Sequence, residues 1–94
     1  MDITEARNQI DQIDRQITAL FCRRMQCSAA IGAYKAERGL PIHVPEREAA
    51  ILEALTREAD PALKPYLTAL YQNIFRLSRE YQQGLPEKEG PEHG

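Results

Sequence analysis

The first forty residues carry an apolar pattern that restricts what this chain can fold into more than any other feature. Apolar residues recur with alternating spacings of three and four, at Ile3, Ala6, Ile10, Ile13, Ile17 and Leu20. This spacing indicates an α-helix with a narrow apolar seam. Asp2 followed by Glu5 resembles a capping box at its start, and Gly39 followed by Pro41 ends it. The sequence therefore predicts one helix of about 35 residues.

The length of this helix predicts a dimer. A helix of that length spans roughly 50 Å, whereas a compact domain of 94 residues has a diameter of about 30 Å. One subunit therefore cannot bury the seam. We expect the seam to meet the same seam on a second copy, which gives an intertwined homodimer paired along the first helix.

Two shorter helices are expected after the first, and no strand alternation or glycine-rich phosphate loop appears. Pro45 suits the first turn of a second helix, which we expect over about residues 46–58. The seam of a third helix, ending near Gly84, runs through Leu67, Leu70, Ile74, Leu77 and Tyr81. The predicted fold is all-α, with a long, a short and a medium helix in a domain of residues 1–84. Residues 85–94, rich in Pro, Gly and Glu, are expected to form a flexible tail.

Charge and cysteine content narrow the possible functions. The chain has 12 Lys and Arg against 14 Asp and Glu, a net charge of -2, which offers no general attraction to nucleic acid. Cys22 and Cys27 diverge on one helix and cannot easily bridge, so we expect reduced thiols in the cytoplasm. No stretch approaches the ~18 apolar residues of a membrane span, and we expect no export signal. The prediction is a soluble protein that binds neither nucleic acid nor membrane.

Polar side chains interrupt the apolar faces at positions where they need a partner. Arg24 stands on the seam of the first helix, and Lys35, eleven residues on, returns to within about 20° of the same face. Their backbones lie about 16 Å apart, a gap that two long side chains can narrow around a small dianion. Ser28 and Ile31 would form the floor. Alternatively, the stem of Arg24 packs while its head reaches water or a carboxylate.

Further polar positions occur on the other two helices. Glu48 aligns with the apolar residues of the second helix, so its carboxylate faces inward and either pairs with an arginine or bonds a ligand hydroxyl. Ser78 and Gln82 are one turn apart and can bond a ligand, although a polar border beside the seam is the commoner interpretation. Arg7 lies about 25 Å from Arg24 along the helix and can reach the same ligand only from an intertwined partner.

The helical pattern assigns no site to the remaining charged residues. Arg47 points away from Glu48 and, on the pattern alone, is a surface ion-pair partner. Solvent-exposed positions are assigned to Arg15, Arg23, Arg38, Arg57, Arg76 and Arg79. His43 and His93 have no second ligand at metal-binding spacing, so we predict no metal, and no Ser-His-Asp arrangement indicates a nucleophile.

In order and spacing, the chain resembles the all-helical chorismate mutases from Asp2 to about Gln83. The resemblance rests on the combination of Arg7, Ile10, Asp14, Arg23, Arg24, Lys35, Arg47, Glu48, Ser78 and Gln82. It implies an intertwined dimer with two active sites, each built from both chains. It also implies an isomerase, without a cofactor, that converts chorismate to prephenate in phenylalanine and tyrosine biosynthesis.

The resemblance implies a role for each matching residue. Arg24 and Arg7 of the partner subunit would grip the two substrate carboxylates, while Lys35 and Gln82 would contact the ether oxygen. The rearrangement is concerted and needs no acid, base or covalent intermediate. Catalysis would hold the reactive conformer and place positive charge where the breaking C–O bond becomes electron-rich. The catalytic residues so predicted are Arg24, Lys35, Glu48 and Gln82.

At the ring hydroxyl the resemblance is less complete. It implies that Glu48 and Arg47 lie beside this hydroxyl and that Ser78 touches a ring carboxylate. Many relatives carry an aspartate three residues before the Arg-Glu pair, where this chain has Val44. The hydroxyl would then have one contact fewer.

Two alternatives to a mutase are left open. Residues 41–47 also resemble the isochorismate pyruvate-lyases, which use the same scaffold, although Glu48 and Ser78 favour the mutases. A non-catalytic helical dimerisation or regulatory module explains the long seam equally well, with the polar residues as ion pairs and caps. It does not explain why Arg24, Lys35 and Glu48 all face inward.

Overall fold

Three α-helices account for most of the chain. A computed structural model describes residues 1–88, with side chains described through Gly84. The helices are α1 (Ile3–Arg38), α2 (Pro45–Thr56) and α3 (Lys64–Lys88). No strand occurs within residues 1–88. The predicted all-α class and the order of long, short and medium helices are confirmed.

Both ends of α1 are capped as the sequence predicts, and its 36 residues match the predicted length. The Asp2 side chain accepts a hydrogen bond from the backbone N–H of Glu5 at 2.8 Å. At the other end, Gly39 adopts a left-handed backbone with φ of 65°, and the N–H of Leu40 donates to the carbonyl of Lys35 at 2.9 Å. Glycine suits this position because it has no Cβ to clash in the left-handed region.

The later helix ends differ from the sequence predictions. α2 ends at Thr56, two residues before the predicted end, and α3 continues to Lys88 rather than ending near Gly84. Among the described residues, only Gly39 has a positive φ. Gly84 therefore does not adopt the left-handed backbone that ends a helix. A helical glycine costs about 1 kcal/mol without stopping the helix. The predicted tail of residues 85–94 therefore begins as helix, and residues 89–94 lie outside the described residues.

α3 is the helix on which the other two pack. It contacts α1 and α2, whereas no Cα of α1 comes within 8 Å of a Cα of α2 in the described part of the chain. Among residues 1–84, the only buried large apolar side chain is that of Phe75 in α3, at 5% exposure. The helices therefore leave an open cleft between α1 and α2, with α3 as its floor.

The single chain is long and thin, and its apolar seam is uncovered. The Cα radius of gyration is 16.8 Å and the extents are 50 × 34 × 15 Å, whereas a compact chain of this length has a radius of about 12 Å. Ile10, Ile13, Ile17 and Leu20 are each about half exposed. An exposed apolar stripe of this kind is typical of an interaction surface. The exposed seam agrees with the expected homodimer, which stays a prediction.

Two sequence-based expectations concern the solvent and redox environment. Cys22 and Cys27 are both exposed and form no bridge with each other. Among residues 1–88, no helix is both long enough and apolar enough to cross a membrane.

Replacing Gly39 by alanine tests the cap of α1. With nothing within 4 Å of a Cβ built at this position, the cost is conformational, and we expect Gly39→Ala to lower the free energy of unfolding by about 1–2 kcal/mol. Gly39→Asn is the matched control and should lose less, because asparagine tolerates the left-handed region. Urea unfolding at one fixed protein concentration measures both, and equal stability of Gly39→Ala and wild type would contradict the assignment.

Candidate functional site

The cleft between α1 and α2 gathers most of the residues that the sequence singles out. It has a volume of about 260 Å³ and is lined by all three helices and by the loop before α2. Six of the seven predicted site residues line it, namely Arg24, Lys35, Arg47, Glu48, Ser78 and Gln82. With Arg79, four cationic side chains face one carboxylate in this lining. The cleft is therefore strongly cationic, although the whole chain carries a net charge of -2.

Arg24 is held against two aromatic rings of α3. Its guanidinium carbon lies 5.9 Å from the centroid of Tyr71 and 5.8 Å from that of Phe75. The two rings pack edge to face, with centroids 5.8 Å apart. Within the described residues no carboxylate lies within 4 Å of this guanidinium. The aromatic contact thus orients Arg24 while leaving its N–H donors for a ligand.

Lys35 connects α1 to the loop that closes one end of the cleft. Its Nζ donates to the carbonyl of Ile42 at 3.2 Å, and Ile42 and Val44 both line the cleft. An ammonium group has three N–H donors, so two are left after this bond. Lys35 can therefore hold the loop and bind a ligand at the same time.

Glu48 faces the cleft from the first turn of α2, as the helical pattern predicts. Its Oε2 accepts a hydrogen bond from Nη1 of Arg79 at 2.5 Å, and its Oε1 lies 3.6 Å from Nε2 of His43. The side chain is 24% exposed. Of the two partners that the sequence left open for this carboxylate, an arginine or a ligand hydroxyl, the arginine is present and comes from α3.

The solvent-exposed position predicted for Arg79 is wrong. Its side chain is 27% exposed and pairs with Glu48 across two helices. Arg79 lies one helical turn after Phe75, so the α3 stripe itself held a signal for it. Arg47 is exposed, as the pattern indicates, but it forms no ion pair within residues 1–84 and also lines the cleft. Which groups Arg79 and Arg47 meet depends on where α2 sits relative to α3, and no local pattern specifies that arrangement.

A buried hydrogen-bond network joins α1 to α3 at the floor of the cleft. The hydroxyls of Ser28 and Ser78 are 2.6 Å apart, and Nε2 of Gln82 donates to Oγ of Ser78 at 3.3 Å. Both serines are buried, at 6% and 7% exposure, so Ser78 does not form a polar border beside the seam. Oε1 of Gln82 is buried and has no hydrogen-bond partner among the described residues.

Gly32 permits the close approach of α1 and α3 beside this network. A Cβ placed on Gly32 would lie 3.0 Å from both Cβ and Cγ of Gln82, closer than carbon atoms normally pack. Gly32 is buried inside α1, six residues before the helix ends. The sequence analysis did not single it out, although a glycine inside a long helix is a signal for close backbone packing.

Arg7 is the predicted site residue that the single chain does not bring to the cleft. It is exposed near the start of α1, about 25 Å along the helix from Arg24.

His93, the other residue considered for metal binding besides His43, lies outside the described residues. Within residues 1–88 no group of three or more His, Cys, Asp or Glu side chains converges.

The arrangement suits a small ligand with more than one negative charge. Donors reach the cleft from α1 and α2, and Ser78 and Gln82 add neutral polar groups from α3. Partly buried cations bind carboxylates more strongly than exposed ones, because the surrounding dielectric is lower. The single carboxylate of the lining offers an acceptor for a ligand hydroxyl.

Removing the Ser28 hydroxyl tests the network at the floor. We expect Ser28→Ala to lower the free energy of unfolding by about 1–2 kcal/mol, because Ser78 loses a buried partner. The double variant Ser28→Ala with Ser78→Ala should lose less than the sum of the two single variants. Urea unfolding at a fixed protein concentration measures the cycle. Additive losses would show that the two hydroxyls are not coupled.

Comparison with known proteins assigns the chain to a family. The model of the family described as chorismate mutase type II matches residues 6–83. The T-protein of Haemophilus influenzae is 40% identical over 60 residues, and that of Enterobacter agglomerans is 41% identical over 59 residues. The bifunctional chorismate mutase/prephenate dehydratase of Aquifex aeolicus is 43% identical over 56 residues.

These relatives are much longer than the chain. The alignments cover 64%, 63% and 60% of this chain but 16% of each relative. No solved structure matches the chain significantly. Because the family model covers α2, most of α1 and α3, and every residue that lines the cleft, the chain belongs to the chorismate mutase type II family.

Proposed function

We propose that this chain is a chorismate mutase, an isomerase that converts chorismate to prephenate in phenylalanine and tyrosine biosynthesis. The observation that carries the proposal is the convergence of Arg24, Lys35, Glu48 and Gln82 on one cationic cleft. Chorismate is a small dicarboxylate with an ether oxygen and a ring hydroxyl, and the cleft offers a group for each. The family membership and the name of the Aquifex aeolicus relative support the same activity.

The two carboxylates would be bound by arginines. Arg24 is oriented by Tyr71 and Phe75 and has free donors for the first carboxylate. We infer that Arg7 of the partner subunit reaches the second, since the Arg7 of the same chain lies at the far end of α1. Two such grips hold the substrate in its folded, reactive conformer, which lowers the entropic part of the barrier.

The ether oxygen would be stabilised by Lys35 and Gln82. As the C–O bond breaks, this oxygen gains negative charge, and a preorganised donor stabilises it more in the transition state than in the ground state. Lys35 has two donors beyond its bond to the loop. The amide of Gln82 uses one N–H for Ser78, which leaves the second N–H for the ether.

The ring end of the substrate would meet α2 and the floor. Glu48, paired with Arg79, would accept a hydrogen bond from the ring hydroxyl, with Arg47 beside it. Ser78 can donate its hydroxyl hydrogen to a ring carboxylate when Ser28 donates to Ser78. Val44 lines this end with an apolar side chain and gives the hydroxyl no polar contact.

We further propose that the enzyme is a homodimer with two active sites shared between chains. The exposed seam of α1 and the 15 Å thickness of the single chain support it, because a lone chain of this shape buries little apolar surface. A second copy would cover the seam and deliver Arg7 to the cleft. The dimer interface and the active site would then form together.

The reaction class also bears on cofactors and location. A concerted rearrangement needs neither electron transfer nor a covalent intermediate, so we propose an enzyme that uses no metal or cofactor. The exposed thiols of Cys22 and Cys27 fit a reducing compartment, and we infer a cytoplasmic location.

A non-catalytic dimerisation module fits the cleft less well. Such a module would pair Arg24, Lys35 and Glu48 with one another and leave no cavity between the helices. Instead, Lys35 bonds a backbone carbonyl, Glu48 pairs with Arg79, and Arg24 stacks on aromatic rings. The resulting open cationic cleft favours a ligand-binding function.

The proposed activity is tested by adding purified protein to chorismate and following the loss of its absorbance. Prephenate is identified by its conversion to phenylpyruvate in acid, and isochorismate is assayed in parallel. We expect fast prephenate formation with little action on isochorismate. Pyruvate release from isochorismate would instead favour the lyase, and inactivity on both substrates would favour the non-catalytic module.

Removal of the Lys35 ammonium is expected to lower kcat. We expect Lys35→Ala to lose on the order of 100-fold to 1,000-fold in kcat, the typical effect of removing one preorganised donor to a developing oxyanion. Arg38→Gln is the matched control, because Arg38 is an exposed cation one turn further along α1 and should keep its activity. Near-normal turnover by Lys35→Ala would contradict the proposed role.

Mixing two inactive variants tests the shared sites. Arg7→Ala and Arg24→Ala should each be nearly inactive, but exchange of their subunits should restore activity, since half of the sites in each mixed dimer contain no substitution. A statistical mixture should regain about a quarter of the wild-type activity. Absence of recovery in dimers shown to exchange would contradict the sharing of sites, as would an active Arg7→Ala variant.

A further inference from the structure

Arg79 is a cation of the cleft to which the proposed reaction assigns no substrate contact. It extends from α3 and, together with Arg24, Lys35 and Arg47, makes up the positive lining. We propose that Arg79 is a positioning residue that holds the Glu48 carboxylate in place to accept the ring hydroxyl of the substrate. This inference rests on the proposed mutase function and adds to it a residue that determines recognition of the hydroxyl end.

The geometry of the pair supports a role beyond surface charge. Nη1 of Arg79 lies 2.5 Å from Oε2 of Glu48, and the two residues are 31 positions apart in sequence. Their side chains are 27% and 24% exposed. The Arg76 and Glu80 pair on the same helix is 3.0 Å long, but its side chains are 52% and 60% exposed. Water screens the second pair much more than the first, so the first restrains its carboxylate more strongly.

The pair restrains one oxygen of Glu48 and leaves the other available. Arg79 occupies Oε2, while Oε1 lies 3.6 Å from the half-exposed His43, beyond normal hydrogen-bond distance. A carboxylate oxygen has two lone-pair sites, so Oε1 can accept a hydrogen bond from a ligand. Because Oε2 is fixed, the carboxylate keeps one orientation and Oε1 keeps one place.

The rest of the lining explains why this restraint matters. Glu48 is the carboxylate of the cleft lining, and Val44 beside it contributes no polar group. Without Arg79, the Glu48 carboxylate would be free to pair with Lys35 or Arg47, which line the same cleft. Such pairing would neutralise a cation needed for the substrate and would also remove the acceptor for the hydroxyl. Arg79 therefore keeps the Glu48 carboxylate from pairing with the cations that the substrate needs.

The experiment is a double-variant cycle in chorismate turnover. We expect Arg79→Gln to lower kcat/KM on the order of 10-fold to 100-fold, the range for loss of a hydrogen bond to a charged group, with the larger part in KM. Arg79→Lys should recover part of the loss, because it keeps the charge. In a Glu48→Gln background, Arg79→Gln should change kcat/KM by less than about twofold, because the residue to be positioned is already altered.

Arg76→Gln is the matched control, since it breaks an exposed arginine pair on the same helix and should keep wild-type kinetics. Unfolding free energies are measured for every variant at the assay concentration, and kinetics are compared only among folded proteins. If Arg79→Gln unfolds the protein, the same comparison is made with Arg79→Lys in the wild-type and Glu48→Gln backgrounds.

Three outcomes would overturn the inference, and they differ from one another. If Arg79→Gln has the same effect in the wild-type background as in the Glu48→Gln background, Arg79 acts on the substrate directly. Kinetics of Arg79→Gln like those of Arg76→Gln mean that the pair serves stability alone. A wild-type enzyme that is inactive on chorismate removes the proposed function and this inference together, whereas an active wild type with either of the first two results removes only the inference.

Discussion

The contact between α1 and α3 at Gly32 determines where the other elements lie. Because this glycine has no side chain, the backbone of α1 approaches Gln82 closely enough for the Ser28 and Ser78 hydroxyls to bond. α2 also packs on α3, but none of its Cα atoms lies within 8 Å of a Cα of α1 in the described part of the chain. The cleft is the space left by this arrangement, and its floor is the buried polar network. A bulkier residue at position 32 would move the floor and the Gln82 amide together.

The charge distribution of the cleft follows from the three-helix arrangement. Arg24 and Lys35 come from one helix, Arg47 from a second and Arg79 from a third, so no local segment is strongly basic. Gathering cations in a partly buried space is unfavourable without compensation. Glu48 compensates part of this charge within the chain, and a small dianion would compensate more. The single chain therefore has the electrostatic character of a binding site while its net charge is slightly negative.

The amino-acid sequence by itself determined the helices and most of the cleft residues. A seam with spacings of three and four specifies a helix, and the capping residue Asp2 and the left-handed Gly39 specify its ends. Arg24 and Lys35 were predictable as neighbours because helical periodicity places them on one face. The inward orientation of Glu48 followed in the same way from its alignment with apolar residues. In each case the information is local, since it depends on residues within a few helical turns.

The tertiary structure decided which residues from different helices meet. The pairing of Glu48 with Arg79 depends on how α2 and α3 pack, and that geometry is set by side-chain packing between elements far apart in sequence. Gly84 shows the same limit at a helix end, because a glycine permits a stop without requiring one. Whether Arg7 reaches the cleft depends on a second chain. Local periodicity specifies which face a residue lies on, whereas only the packed arrangement of helices specifies what that face meets.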